Sequence, residues 1–276
     1  MARKAVKNRW TRPLIQAFFF VLIALTAINH FLVEQGKGID WFSNASLHGL
    51  CPFGGVVSVY RYVSQVLLVQ KVHQSSFVLM FIGFALAIAF GPVFCGWVCP
   101  LGTFEEWMSK LGRKLFGKRH NQFIPARVDI YLRYLRYAVL IGVVYMTART
   151  GQLLFANIDP YFALFNFWTS EVAVGGLIVL GITIAAALFV ERRFCKYSCP
   201  YGALIGVFNL FRVFKIRRNA ETCIDCKSCD RACPMNIEVS IGKAIRDHQC
   251  ITCMQCTSEA ACPVANTVEL LAKGGN

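Results

Sequence analysis

Uncharged apolar runs alternate with short basic segments along most of this chain. Residues 13–33 (Pro13 to Val33) carry no charge, with Asn29 and His30 near the end, and residues 74–94 and 172–190 are equally free of charge. A helix needs roughly 20 apolar residues to cross the hydrocarbon core of a bilayer, so each run predicts a transmembrane helix. A fourth run is uncharged only over 137–148, and a span there must cover 130–149 with Arg133 and Arg136 included. Those arginines are three apart on one helix face, near enough to the end to snorkel. Between the spans, residues 55–70 hold a single charge and read as an interfacial or re-entrant helix. In residues 103–119, Phe104, Trp107, Met108, Leu111, Leu115 and Phe116 recur at helical spacing with basic residues opposite. That pattern suits a helix lying on an anionic leaflet, and equally a connecting helix packed on its neighbours.

Composition agrees: 56% of the 276 residues are hydrophobic and 16% are charged, against about 25% charged in a soluble domain. A soluble enzyme is excluded. The net charge of +14 is not a nucleic-acid footprint, because residues from 221 onward hold five Lys/Arg against seven Asp/Glu. The surplus flanks the spans. The N-terminal stretch (Arg3 to Arg12), 101–136 and 191–222 hold twenty Lys/Arg, while 34–75 and 149–171 hold four. Basic residues concentrate on the cytoplasmic side, so both termini are expected there, in a multi-pass protein of the bacterial inner membrane. The first span is too long for a signal-peptide core and lacks a small-residue cleavage site, so it is expected to stay as an anchor.

Thirteen cysteines, mostly in tight spacings, point to metal or cluster ligation and away from a disulfide framework. Cys223-x-x-Cys226-x-x-Cys229-x-x-x-Cys233-Pro234 is the bacterial ferredoxin run. Cys250-x-x-Cys253-x-x-Cys256 follows it, with Cys262-Pro263 after five residues. Two-residue gaps let one loop wrap three corners of a cubane, and the fourth thiolate comes from the other half of the repeat. Cluster one is then expected on Cys223, Cys226, Cys229 and Cys262, and cluster two on Cys250, Cys253, Cys256 and Cys233. Structural zinc also takes four cysteines, but it explains neither the even spacing nor the prolines. No C-x-x-C-H haem site occurs.

Four more cysteines form a repeat. Phe94-Cys95-Gly96-Trp97-Val98-Cys99-Pro100-Leu101-Gly102 follows the second span, and Phe194-Cys195-Lys196-Tyr197-Ser198-Cys199-Pro200-Tyr201-Gly202 follows the fourth, at an offset of 100. The membrane part reads as a duplicated unit of two spans, F-C-x-x-x-C-P-x-G and an amphipathic segment. Cys-Pro ahead of a helix puts the thiol at an N-cap with proline at the first helical position, where the dipole favours thiolate. Cys95, Cys99, Cys195 and Cys199 are therefore candidate ligands of one metal or a third iron–sulfur centre. Two dithiols that cycle with disulfides, or small residues in a tight turn, fit the same pattern. A partial copy, Cys51-Pro52-Phe53-Gly54, has Leu47 in place of the first cysteine, and Cys51 reads as a packing residue.

The expected architecture is a membrane α-helical domain over 1–219 with four spans, and a cytoplasmic two-cluster ferredoxin-like α+β domain over 220–276. From about residue 10 to 270, the chain resembles the NapH-type membrane ferredoxins. It is also similar to the membrane core of the nitrous-oxide reductase regulatory protein and to the iron–sulfur proteins of cytochrome oxidase assembly. The resemblance implies a quinol-dehydrogenase membrane subunit that oxidises quinol and passes electrons to a partner reductase system. Its motif positions fall on the four membrane-proximal cysteines and its cluster ligands on the eight ferredoxin cysteines. The sequence carries neither a periplasmic flavin-binding domain nor a C-terminal immunoglobulin-like domain, so the compact type is expected.

Clusters fused to membrane helices also imply a lipid-soluble electron source. A quinone site needs a polar group at the membrane edge; His30, His48, His73 and Asp159 are candidates, and each also reads as an ordinary interfacial residue. Residues 158–168 are aromatic-rich and suit a quinone cover, a partner contact or an aromatic belt. Two alternatives remain: a maturation protein that binds or reduces copper at the C-x-x-x-C-P thiols, or a structural anchor for a larger redox complex. Soft thiolates suit Cu(I), but there is no Met-rich or His-rich loading tract.

Overall fold

A computed structural model describes residues 10–35, 74–117, 120, 121, 123–150, 158–169 and 172–272. Arg3 to Arg9, His48, Cys51 to Gly54, the 55–70 segment and His73 lie outside the described residues. Helix α1 (Thr11–Glu34) has no proline beyond its first turn. Among the described residues it contains the one stretch, Thr11–Val33, that is long and apolar enough to cross a membrane. Leu14, Phe18, Val21 and Leu25 form an exposed apolar stripe along it. Its other side buries Gln16, Ile23 and Ala27.

The other expected spans contain shorter helices: α2 (Gln74–Phe90), α5 (Leu135–Thr150) and α7 (Val174–Ala187). At 1.5 Å per residue these measure about 25, 24 and 21 Å, against a hydrocarbon core of about 30 Å. The 130–149 segment is not one helix. It breaks at Arg133–Tyr134, between α4 (Ala126–Leu132) and α5.

The expected snorkelling of Arg133 and Arg136 does not occur. Both are buried. Arg133 donates to Asp129 and to the Asn236 carbonyl, and Arg136 donates to Gln249 and the His248 carbonyl. A guanidinium has five donors, and the Asn236 and His248 carbonyls of the C-terminal loops take up part of them.

After α2 a π-helical turn (Phe94–Val98) leads into α3 (Pro100–Phe116), which ends at Gly117 with φ +55°. A positive φ at this position is a helix stop that glycine adopts without strain. Helix α3 is amphipathic as expected, but the buried face differs. Leu101, Thr103, Glu105, Glu106, Ser109 and Gly112 are inside, while Leu111, Leu115 and Phe116 are exposed.

Short helix α6 (Pro160–Asn166) packs against α1, α3 and α7. Part of the aromatic stretch is folded into the bundle, with Phe165 at 2% exposure 5.4 Å from the Phe20 ring, while Phe167 and Trp168 are exposed. Beyond α7 come α8 (Arg193–Tyr197), α9 (Pro200–Gly206) and a 3-10 turn at Val207–Leu210.

The C-terminal unit is closed by β1 (Phe214–Arg218) paired antiparallel with β2 (Val268–Ala272), Ile216 opposite Leu270. Its loops carry one short helix, α10 (Ser228–Arg231). Strand β1 lies before residue 220, so the ladder begins on the helical side of the expected boundary. A single core runs through both parts, joining Ala87, Tyr201 and Ile205 to Ile216, Met235, Val239, Ile251 and Val268. Phe214 stacks on Phe90 at 4.8 Å and holds the ladder to α2.

Candidate metal centres

In both ferredoxin runs the residues flanking the middle cysteine are left-handed: Asp225 and Lys227 around Cys226, Thr252 and Met254 around Cys253. For threonine this is an uncommon conformation. It is held by Thr252 Oγ1, which donates to the Phe90 carbonyl at 2.9 Å and accepts from Arg212 at 3.0 Å. Alternating backbone handedness turns successive N–H groups to one side, which makes a nest suited to anionic sulfur clusters.

Cys233, Cys250, Cys253 and Cys256 line one small apolar cavity with Ile216, Met235, Ile237, Val239, Ile245 and Ile251. Burial and the neighbouring Cys253 push the Cys233 thiol up, while N–H groups of Ile237 and Met235 pull it down. Arg212 reaches the Cys250 sulfur at 3.6 Å. The other set lies nearer the surface. Cys229 is buried, Cys223 and Cys262 are half-buried, and Cys226 is exposed. Arg218 donates to the Cys223 sulfur at 3.2 Å, and a Thr222–Thr267 hydroxyl bond of 2.9 Å ties this loop to the chain beyond Cys262.

These sites fit four-thiolate clusters in chemistry, burial and backbone polarity. Among the described residues no three His, Cys, Asp or Glu side chains are grouped closely enough to hold a single metal ion. The twelve described cysteines are all free thiols.

The two C-x-x-x-C-P motifs lead into helices in the same way. Cys99 caps α3 and Cys199 caps α9, each with proline at the first helical position. Gly202 N donates to the Cys199 sulfur at 3.3 Å. Cys95 and Cys195 lie four residues earlier, both buried. The thiols are close enough to oppose one another's ionisation: Cys99 acts on Cys95, Cys195 and Cys199, and Cys199 acts on Cys195. The helix N–H groups of Gly102 and Gly202 favour thiolate at Cys99 and Cys199, and burial opposes them. Burial dominates, raising Cys95 to about 12 and Cys195 and Cys199 well above their ordinary value. Protons on such thiols must leave before a metal or cluster binds them.

Each motif is held by a charged residue from the other repeat. Arg192, at 0% exposure, donates from Nη1 to the Cys95 carbonyl at 2.6 Å. Glu105 Oε1 accepts from Phe194 N at 2.7 Å. Arg192 also meets Glu106 at 3.0 Å, and Arg12 binds the same carboxylate at 2.6 Å. Burial alone would raise Glu106, but Arg192 and Arg12 outweigh it and hold it at about 2. On the other side Lys196 pairs with Asp129 at 2.6 Å, and Gln249 donates to the Lys196 carbonyl. Sequence reasoning missed Glu105, Glu106, Arg192, Lys196 and Asp129. The available signal was charged residues inside and beside the two cysteine motifs.

The first motif rests on the second ferredoxin run. A Cβ on Gly96 would strike the Ile251 carbonyl and come within 3.4 Å of Cys253 Cα. Trp97 Nε1 donates to the Thr252 carbonyl at 3.0 Å. Of the quinone candidates, Asp159 caps α6, accepting from Tyr161 N at 3.0 Å, and its charge acts on Cys199. His30 lies in α1.

Comparison with known proteins follows the same division. Residues 72–119 and 172–219 each match the family described as "4Fe-4S binding domain", and residues 215–270 match "4Fe-4S dicluster domain". The chain is 32% identical over 261 residues to the "Putative electron transport protein YccM" of Escherichia coli, covering 92% of this chain and 69% of that protein. It is 29% identical over 197 residues to the "Ferredoxin-type protein NapH" of Haemophilus influenzae, covering 66% of each. With the "Regulatory protein NosR" of Pseudomonas aeruginosa it shares 29% over 174 residues, 59% of this chain and 23% of that one. No solved structure matches.

Proposed function

The chain is an iron–sulfur electron-transfer protein of the NapH-type 4Fe–4S ferredoxin family, related to NosR, and from that premise we propose that it carries electrons between membrane quinol and a redox partner. Residues 13–33, 74–94, 172–190 and a fourth span on α5 (Leu135–Thr150) cross the bacterial inner membrane, with both termini and the 220–276 ferredoxin unit on the cytoplasmic side. The exposed stripe of α1 and the split of twenty against four basic residues support this placement.

Cys95, Cys99, Cys195 and Cys199 hold a membrane-proximal iron–sulfur centre. Cys233, Cys250, Cys253 and Cys256 hold cluster two, and Cys223, Cys226, Cys229 and Cys262 hold cluster one. When bound, such clusters supply one-electron transfer. The chain's residues supply the rest. The Ile and Val lining excludes water, and Arg212 and Arg218 donate to the sulfurs of Cys250 and Cys223. The exposed loop at Cys226 faces the partner.

The observation that carries this reading is the seat of Gly96 and Trp97 on Ile251 to Cys253, which sets the thiol group of one motif against a ligand loop of the next. It is tested by adding duroquinol to anaerobic membranes holding the protein and recording EPR. Reduced iron–sulfur signals are expected. Clusters that respond to dithionite but not to duroquinol would overturn quinol oxidation.

A further inference from the structure

Arg192 stands where the two halves of the membrane unit and the ferredoxin unit meet. Its backbone is left-handed, φ 51°, which is uncommon for a residue with a long side chain. That turn sends a fully buried guanidinium back across the repeat. Nη1 donates to the Cys95 carbonyl and Nη2 to Glu106. Its Nε–H is buried without a hydrogen-bond partner. The charge acts on Cys95, Cys99 and Cys195 of the membrane-proximal set and on Cys253 of the cluster-two set. Gly102 leaves the space, since a Cβ there would lie 2.7 Å from Nη1.

A buried donor left over beside the Cys95 motif is expensive unless something accepts from it. Sulfur of a bound cluster is such an acceptor, and hydrogen bonds and charge near the sulfurs set cluster potentials. We propose that Arg192 is a positioning residue that sets the reduction potential of the membrane-proximal centre through its charge and an Nε–H bond to sulfur, and exerts the same pull more weakly on cluster two.

One-electron reduction adds a negative charge to the centre and makes or breaks no bond. A fixed cation beside it favours the reduced form, so loss of the cation lowers the potential. The assignment rests on the reading that the four membrane-proximal thiols hold an iron–sulfur centre.

The test is an EPR-monitored redox titration of purified wild-type, Arg192→Gln and Arg192→Lys proteins, with iron measured on each. In Arg192→Gln the reduced-to-oxidised ratio of the membrane-proximal signal at a fixed potential is expected to fall at least tenfold, about 59 mV for one electron. Cluster two should shift less in the same direction, cluster one should not move, and Arg192→Lys, which keeps the charge but not the Nε–H bond, should shift less than Arg192→Gln. Unmoved midpoints at full iron content, or an equal shift in Arg192→Lys, would overturn the role.

Pulsed EPR on wild-type protein labelled with 15N-arginine tests the contact without any mutation, even where Arg192→Gln fails to assemble. A resolved 15N coupling on the membrane-proximal signal is expected, and its absence overturns the Nε–H bond. A wild-type chain with only about eight irons would remove the centre, and the underlying reading would fall first. Full iron without the Arg192 effects would sink the role of Arg192 alone.

Discussion

Arg192 and Cys95, 97 residues apart, are joined by a 2.6 Å bond from the guanidinium of one repeat to the motif carbonyl of the other. Glu105 returns the contact by accepting from Phe194 N. Each half of the duplicated unit therefore holds the cysteine motif of the other.

That exchange makes Glu105 a holder of the second motif. Glu105→Gln keeps an acceptor for Phe194 N and should retain near-wild-type stability. Glu105→Ala leaves a buried N–H unpaired and should cost about 1–3 kcal/mol, measured by thermal unfolding in detergent. Equal stability of the two variants would contradict the contact.

Glu106 lies between Arg12 and Arg192 in a buried network. Removing one partner of such a network strands the other charges, so Glu106→Ala should destabilise by about 3–5 kcal/mol. Chemical denaturation followed by helical circular dichroism measures this. A loss under 1 kcal/mol would mean that the ion pairs are not formed.

The same carboxylate sets a pH window. Its folded value, about 2, is below the ordinary 4.5, so its contribution is complete above about 4.5 and disappears as pH falls through about 2. The difference amounts to about 3 kcal/mol. The stability gap between wild type and Glu106→Gln should therefore be flat from neutrality to about pH 4.5 and close only near pH 2. A gap already closed at pH 4 would contradict the assignment.

Gly96 permits the close approach to Ile251. Gly96→Val should push the first motif off the cluster-two loop while leaving both ferredoxin clusters in place. Dithionite should still reduce them, and duroquinol should do so at least tenfold more slowly. An unchanged quinol rate would show that electrons do not cross at this contact.

The cysteine grammar and the repeat were legible because spacing is local. C-x-x-C-x-x-C imposes its own loop, and Cys-Pro starts its own helix, so the caps at Cys99 and Cys199 follow directly. The inward face of α3 was not legible. A hydrophobic pattern assumes that apolar residues go inside, yet here Glu105 and Glu106 are buried by partners 86 to 94 residues away. Arg133 and Arg136 misled for the same reason, since the carbonyls of Asn236 and His248 that satisfy them are over 100 residues distant.

The central claim is that the four membrane-proximal thiols hold a centre between quinol and the ferredoxin clusters. Iron and sulfide per chain, measured on anaerobically purified wild type and the Cys95→Ser/Cys195→Ser variant, test it most directly. The account predicts about twelve irons in the wild type and about eight in the variant, four for each cubane. About eight irons in both proteins would contradict it.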